Sequence, residues 1–129
     1  MTAALAPELI VSDFDASLEF YQAAGFTVAW ARPDERFAYL TLGDAALMIE
    51  EGTSADYVRG PLEKPYGRGI NFQIIVPDVE KLREVFVNAT ILRDLMDKTY
   101  RTGATTRSFR ELMVSDPDGY VLRFQQPLA

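Results

Sequence analysis

The sequence of 129 residues contains neither cysteine nor histidine. Without cysteine the chain can form no disulfide, no thiolate nucleophile and no Cys-ligated zinc site. Without histidine it lacks the side chain that serves most often as general base and as metal ligand, so a metal would have to be a hard cation held by oxygen atoms. Catalysis by a Ser-His-Asp triad is excluded. Carboxylates and aromatic side chains remain as the candidate functional groups.

Long apolar runs are also missing. No segment approaches the roughly 18 apolar residues of a membrane span, and residues 1–7 carry no basic residue, so no signal peptide is predicted. Basic residues number 13 against 19 acidic ones, which gives a net charge of −6. An acidic surface repels phosphate backbones. We therefore expect a cytoplasmic protein with neither a membrane nor a nucleic acid as partner.

The chain contains a repeated pattern that predicts the fold. An apolar run reaches Val11, Asp13 can cap a helix by accepting a backbone hydrogen bond, and helical spacing of apolar residues follows. The same order recurs after Val76, where Asp78 takes the capping position. Asp13 maps onto Asp78 and Tyr21 onto Phe86 at one offset. The two halves are therefore predicted to share a strand-helix beginning.

Each predicted helix is followed by three predicted strands, and a turn joins the last two. The turn is Gly43-Asp44 in the first half and Asp116–Gly119 in the second, where proline at the second position and glycine at the fourth suit a type I turn. Residues 91–96 allow two interpretations, an extension of the helix or part of a strand. The predicted strands are Phe26–Arg32, Phe37–Leu42, Ala45–Glu50, Leu92–Tyr100, Arg110–Val114 and Tyr120–Phe124.

These elements predict an α+β fold. Two βαβββ modules, at about 5–51 and 69–126, are joined by a linker at 52–68 and form a single domain over residues 1–129. Each module alone is too small to bury a large core. We expect a curved mixed sheet around a concave pocket, with the helices on the outside.

Four segments carry a resemblance to a known family. They are PELIVSDFDASLEFYQAAGFTV, FAYLTLGDAALMIEE, GINFQIIVPDVEKL and RELMVSDPDGYVLRF. Together, in this order, they resemble the vicinal oxygen chelate superfamily, which holds glyoxalase I, extradiol dioxygenases and bleomycin-resistance proteins. The resemblance covers essentially the whole chain. It implies paired βαβββ modules around a pocket, and usually a homodimer.

The resemblance also implies where a metal would be held. Metal-using members place two ligands in each half, and the matching positions here are Ala6, Glu50, Asn71 and Arg123. Ala6 offers no donor atom, Asn71 offers only an amide oxygen, and Arg123 brings a permanent positive charge. We therefore expect no metal and no other cofactor. We also expect Glu50 and Arg123 to form an ion pair, because a buried charge without a partner costs several kcal/mol.

The remaining candidate residues suit the binding of a flat or cationic ligand. Glu8 alternates with Ile10 and is expected to point into the pocket, where it could bind a cation. Aromatic side chains on strands suit stacking, although core packing is the simpler interpretation of any single one. Aromatic side chains in the linker could form a rim or lid. The predicted ligand-binding residues are Glu8, Trp30, Phe37, Tyr39, Met48, Glu50, Tyr57, Tyr66, Asn71, Gln73, Phe109, Met113 and Arg123, with no catalytic residue.

These features favour a binding protein of the bleomycin-resistance type. Such a protein sequesters a small ligand and performs no chemistry on it. One alternative is a lyase or oxidoreductase of the same superfamily, for example a glyoxalase or dioxygenase, which would need a metal or else acid–base work by Glu50 or Glu8. Another is a non-catalytic interaction scaffold with its pocket filled by its own side chains.

Overall fold

The computed structural model describes residues 3–129. Residues 1 and 2 of the segment considered above for a signal peptide lie outside the described part. The chain divides into two compact units, one ending at Tyr66 and the other beginning at Gly67. Each unit is a four-stranded mixed sheet with one helix. The predicted α+β fold of two βαβββ modules is thereby confirmed.

The N-terminal unit holds its strands in the order β1-β4-β3-β2. The pairings of β4 with β3 and of β3 with β2 are antiparallel, and β1 runs parallel to β4. A short 3-10 turn, Pro33–Glu35, connects the second and third strands. The elements are β1 (Glu8–Val11), α1 (Phe14–Ala23), β2 (Thr27–Arg32), β3 (Phe37–Leu42) and β4 (Ala45–Glu51).

The C-terminal unit repeats this topology in the order β5-β8-β7-β6, with β5 parallel to β8. Residues 52–70, which follow β4 in the sequence, form neither helix nor strand. The elements are β5 (Asn71–Ile75), α2 (Val79–Val85), β6 (Thr90–Thr102), β7 (Thr105–Ser115) and β8 (Val121–Pro127).

Local sequence signals explain where both helices begin. The Asp13 carboxylate accepts a hydrogen bond from the amide of Ala16, and the Asp78 carboxylate accepts one from the amide of Lys81. Each cap satisfies an amide that the first helical turn leaves unpaired. The first helix ends shortly before Gly25, whose φ of 106° is one that residues with a side chain rarely adopt.

Each sheet buries one face beneath its helix. In the N-terminal unit α1 lies against β4, and the alternating residues Leu40 and Ile49 are fully buried. In the C-terminal unit α2 lies against β7 and β8, where Phe86 packs on Phe124 with ring centroids 5.8 Å apart. The period of two along a strand therefore sends the intervening residues to the opposite face.

The second unit differs from the sequence-based expectation in one region. Residues 91–96 belong to β6, so their interpretation as a helical extension is wrong. β6 extends slightly past its predicted ends, β7 begins well before its predicted start, and the two form a long hairpin that turns at Gly103, where φ is 74°. Tyr120 precedes β8 and does not begin it. Alternating Thr, Arg and aromatic residues form this hairpin, and such residues suit a two-stranded ribbon. Within residues 3–129 no helix has both the length and the apolar character needed to cross a membrane.

Candidate functional site

The face of the N-terminal sheet opposite α1 gathers six of the predicted ligand-binding residues. The strand register aligns them in two rows that run across the strands from β2 to β1. We call this surface the aromatic face. Its first row is Trp30, Tyr39, Met48 and Glu8, and its second row is Arg32, Phe37, Glu50 and Ile10.

A β-bulge decides which side chain of β2 joins this face. The register shifts between Val28 and Trp30, so that Trp30, and not Ala29, lies opposite Tyr39. A bulge adds one residue to a strand and redirects the side chains beyond it. The only tryptophan of the chain is thereby placed beside the ring of Tyr39.

The three aromatic rings form a stack with one open side. Trp30 is nearly parallel to Tyr39, with centroids 5.4 Å apart and an interplanar angle of 12°, and it is tilted by 32° from Phe37 at 5.3 Å. Phe37 and Tyr39 are buried, and Ala3 and Ala6 pack against them. Trp30 remains 46% exposed. Of the three rings, Trp30 is therefore the one that solvent reaches.

Arg32 lies against this stack. Its guanidinium carbon is 4.0 Å from the centroid of Phe37 and 5.2 Å from that of Trp30. Arg32 also forms an ion pair with Glu35 at 2.9 Å. A cation over an aromatic face is attracted by the ring quadrupole. The aromatic face therefore already holds one positive charge supplied by the chain itself.

The opposite end of the rows carries negative charge. Burial and the nearby Glu50 carboxylate raise the pKa of Glu8, and Arg32 partly opposes this. Tyr57 from the segment after β4 donates a hydrogen bond to Glu50, and burial together with the two carboxylates raises the pKa of Tyr57 to about 12. Two carboxylates that repel each other in this way favour the approach of a cation.

The corresponding face of the C-terminal sheet is polar. Its rows contain Arg93, Met113, Arg123 and Gln73, and then Met96, Glu111, Gln125 and Ile75. We call this surface the polar face. A register shift between Ile91 and Arg93 repeats the bulge of β2 and sets Arg93 opposite Met113.

Glu111 is the centre of the polar face and has no exposed surface. Its carboxylate pairs with Arg93 and with Arg123, and it accepts hydrogen bonds from Tyr100 at 2.7 Å and from the amide of Gln125. Burial by itself raises the pKa of Glu111. The hydrogen bonds and the two guanidinium groups outweigh burial and hold the pKa below its ordinary value. Glu111 is therefore ionised at neutral pH.

Arg123 is held by side chains of its own unit. Its Nη1 contacts Glu111 Oε2 and the Tyr100 hydroxyl, both at 3.3 Å, while Nε donates to Asn71 at 3.2 Å and Nη2 to Gln73 at 3.1 Å. Glu111 already forms an ion pair with this guanidinium. The physical reason for expecting an ion pair with Glu50, an otherwise uncompensated guanidinium, therefore does not hold.

The other predicted ligand-binding residues differ in their surroundings. Phe109 and Gln73 line a cleft of about 280 Å³ at the polar face, together with Tyr100, Thr102, Arg107, Arg123 and Gln125. Met113 is half-buried within the rows of that face. Tyr57 contacts Glu50, as described above. Tyr66 is half-buried within the irregular segment.

The donor atoms do not fit a divalent metal. Ala6 has none, Asn71 uses its amide oxygen for Arg123, and the position matched to the fourth ligand is that guanidinium. The strand register also compares the two units. Met48 lies opposite Glu8 in the first, and Arg123 lies opposite Gln73 in the second, so Met48 and Arg123 occupy equivalent positions. Two residues further along the same strands, the equivalent of Glu50 is therefore Gln125. In the described part of the chain, no group of three carboxylates comes together to hold a metal ion.

Sequence reasoning missed several residues of these two faces. The sequence does not identify Arg32, Arg93 and Tyr100 as residues of these faces, because no local pattern distinguishes a functional charged or hydroxylated side chain on an edge strand from a solvent-exposed one. Glu111 alternates with Phe109 and Met113 along β7, and Gln125 alternates with Arg123 along β8. This alternation was the one signal that could have identified Glu111 and Gln125.

Comparison with known proteins supports a family assignment. A model of the Glyoxalase/Bleomycin resistance protein/Dioxygenase superfamily matches residues 3–124. A member of that superfamily from Vibrio splendidus 12B01 is 37% identical over 98% of this chain and 100% of its own, with a TM-score of 0.45. TioX from Micromonospora sp. ML1 is 22% identical over 98% and 100%, with a TM-score of 0.70. A protein of unknown function from Agrobacterium tumefaciens str. C58 is 20% identical over 99% and 96%, with a TM-score of 0.71. No curated protein matches the chain.

Proposed function

The chain belongs to the Glyoxalase/Bleomycin resistance protein/Dioxygenase superfamily, and on that premise we propose that it is a binding protein of the bleomycin-resistance type. In this proposal it sequesters a small ligand that combines a planar aromatic part with a cationic part, and it performs no chemistry on it. The aromatic face of the N-terminal sheet is the proposed surface. The homodimer and the cytoplasmic location remain predictions.

One observation carries this proposal, namely the exposure of Trp30. A tryptophan that served only the core would be covered, yet Trp30 is 46% exposed while the rings behind it are buried. Its parallel contact with Tyr39 fixes the orientation of the indole. A flat ligand could therefore stack on Trp30 at little cost in side-chain entropy. The open ring also argues against the scaffold alternative, in which side chains of the protein fill the site.

The charges on the same face support a cationic part. Glu8 and Glu50 lie three and two strands away from β2, which is roughly 10 to 14 Å at the usual strand spacing. A ligand that spans this distance could stack on Trp30 and place a positive group between the two carboxylates. Binding such a group would relieve the repulsion between Glu8 and Glu50, which adds to the effect of burial in raising the pKa of Glu8. Arg32 would have to move aside or stack on the far edge of the ligand.

The fluorescence of Trp30 provides a direct test, because the chain has a single tryptophan. We expect proflavine, a planar cation, to quench it saturably, and 9-anthracenecarboxylate, a planar anion, to bind more weakly. Glu50→Gln should weaken proflavine binding about threefold, which is the scale of a partly exposed charge pair. Binding should also weaken as the pH falls through the raised pKa of Glu8, because protonation removes one of the two charges.

Glu19→Gln is the matched control, since Glu19 is an exposed residue of α1 and lies on the other side of the sheet. The proposal fails if the anion quenches as well as the cation, or if Glu19→Gln weakens binding as much as Glu50→Gln. Bleomycin should be titrated in the same assay. A cation-selective face that does not respond to bleomycin would remove that antibiotic as the ligand and leave the planar cation class.

The raised pKa of Glu8 favours a second candidate, an enzyme of the superfamily that uses Glu8 as an acid or base. The two candidates differ in the fate of the bound molecule. Recovery of the unchanged ligand after prolonged incubation with the protein supports sequestration. Formation of a product that Glu8→Gln abolishes would support the enzyme.

A further inference from the structure

The polar face contains a cleft that the proposed function does not use. Its volume of about 280 Å³ is just below the range of sites for drug-sized ligands, so it suits a molecule with a single ring. Phe109 and Tyr100 form aromatic walls, with ring centroids 6.1 Å apart. Arg107 and Arg123 contribute guanidinium groups, and Gln73 and Gln125 contribute amides.

The cleft is positively charged although the chain as a whole has a net charge of −6. Glu111 beneath it is the counter-ion of both Arg93 and Arg123, so these three groups leave one positive charge. Arg107 adds a second positive charge. Across residues 3–129 no carboxylate pairs with Arg107, and its guanidinium lies 5.8 Å from the ring centroid of Phe109. This local excess of positive charge favours an anion.

Both cleft guanidinium groups have donors to spare. A guanidinium carries five N–H donors. Four of those of Arg123 are used, by Asn71, Gln73, Tyr100 and Glu111. One N–H of its Nη2 therefore remains, and the surrounding contacts fix its direction. Arg107 is exposed and can turn toward a ligand without breaking an ion pair. A carboxylate could thus bind between one fixed and one mobile guanidinium.

Gln125 supplies an independent observation. Its side chain is only 2% exposed, and its amide nitrogen is committed to Glu111. Its Oε1 is buried and accepts no hydrogen bond from any described residue. A buried acceptor without a donor costs about 1–3 kcal/mol. Because Gln125 lines the cleft, a ligand that brings an O–H or N–H group would supply the missing donor.

We propose that this cleft binds a single-ring aromatic carboxylate with a hydrogen-bond donor beside the acid group. The ring packs against the wall formed by Phe109 and Tyr100, the carboxylate bridges Arg107 and Arg123, and the donor faces Gln125. The inference stands independently of the proposed function, because it uses no residue of the aromatic face.

Salicylate is the probe, and calorimetric titration of the intact chain is the measurement. We expect salicylate to bind more tightly than salicylamide, which lacks the charge, and more tightly than acetate, which lacks the ring. Arg107→Gln should weaken salicylate binding at least about fivefold, as expected for loss of a charge-assisted hydrogen bond. Salicylate should also shift the side-chain amide signal of Gln125 in a nitrogen-15 correlation spectrum.

Arg101→Gln is the matched control. Arg101 is an exposed arginine of the same hairpin that does not line the cleft, so the variant has the same change in net charge. Salicylamide binding as tightly as salicylate would overturn the anion requirement, and acetate binding as tightly would overturn the aromatic one. Equal losses in Arg101→Gln and Arg107→Gln would show a non-specific charge effect and would also overturn the proposal.

Discussion

In the N-terminal sheet Phe37 lies opposite Glu50, and in the C-terminal sheet Glu111 lies opposite Gln125. These pairs occupy equivalent places, because the two sheets have the same strand order and the same parallel pairing. Phe37 is 2% exposed and Glu111 is not exposed at all. One βαβββ topology therefore buries an aromatic ring at this place in one unit and a carboxylate in the other.

The comparison shows that the topology determines burial, while the neighbouring side chains determine polarity. Phe37 is covered by Trp30, Arg32 and small N-terminal residues, and it needs no hydrogen bond. Glu111 can be buried only because four groups compensate its charge, two of them guanidinium groups. A buried ion that loses its partners costs several kcal/mol. The polar face is therefore expected to be the more sensitive to substitution.

The largest effect is expected for Glu111→Gln. The substitution keeps the size of the side chain but leaves Arg93 and Arg123 without a counter-ion. We expect the free energy of unfolding to fall by about 3 kcal/mol, as for a broken buried ion pair. Denaturation by urea measures this change. Glu84→Gln, at an exposed position of α2, should change stability by less than about 0.5 kcal/mol. A loss below about 1 kcal/mol in Glu111→Gln would contradict the importance assigned to this carboxylate.

The pH dependence of the free energy of unfolding provides a second test of Glu111→Gln. The pKa of Glu111 is lowered in the folded state, so its stabilising contribution is complete above the ordinary value of 4.5 and is lost as the pH falls through the folded pKa. This loss should be present in the unmodified protein and absent in Glu111→Gln. Parallel stability curves below pH 4.5 would contradict it.

A smaller effect is expected for Phe37→Leu at the equivalent place in the N-terminal sheet. This substitution reduces a buried apolar side chain without leaving any polar group unpaired. We expect a loss of about 1 kcal/mol in the free energy of unfolding, with a change in the emission of Trp30 because the ring beside it is gone. If Phe37→Leu cost as much as Glu111→Gln, the two units would not differ in the way described.

The smallest effect is expected for Glu8→Gln, and its sign is opposite. The pKa of Glu8 is raised in the folded state by partial burial and by Glu50, so ionisation of Glu8 reduces stability as the pH rises above 4.5. Removing this charge should stabilise the protein at neutral pH by at most about 0.5 kcal/mol, because Glu8 is largely exposed. Thermal unfolding measures the gain. A destabilised Glu8→Gln would show that Glu8 has a favourable partner.

The regular parts of both units could be predicted because their signals are local. Asp13 and Asp78 cap helices through amides three residues away, and two apolar runs joined by the Gly43-Asp44 turn identified β3 and β4. The long hairpin of β6 and β7 could not be predicted in full, because Arg101 and Arg107 lie in its distal part, where residues 101–107 are all exposed and no apolar face marks the strands. Such a ribbon depends on cross-strand pairs between residues distant in sequence.

For the aromatic face and the polar face, too, local features were predictable from the sequence and contacts between distant residues were not. The sequence by itself determined the two modules, the absence of histidine and cysteine ligands, and the presence of Trp30, Tyr39 and Glu50 on strands. Only the tertiary structure decided that a bulge turns Trp30 toward Tyr39 and that Arg123 pairs with Glu111. A charge finds its partner across strands, through side-chain distances that neither residue type nor spacing specifies. For that reason the composition indicated that aromatic and charged side chains would form the site, whereas the fold determined which of these side chains contact each other.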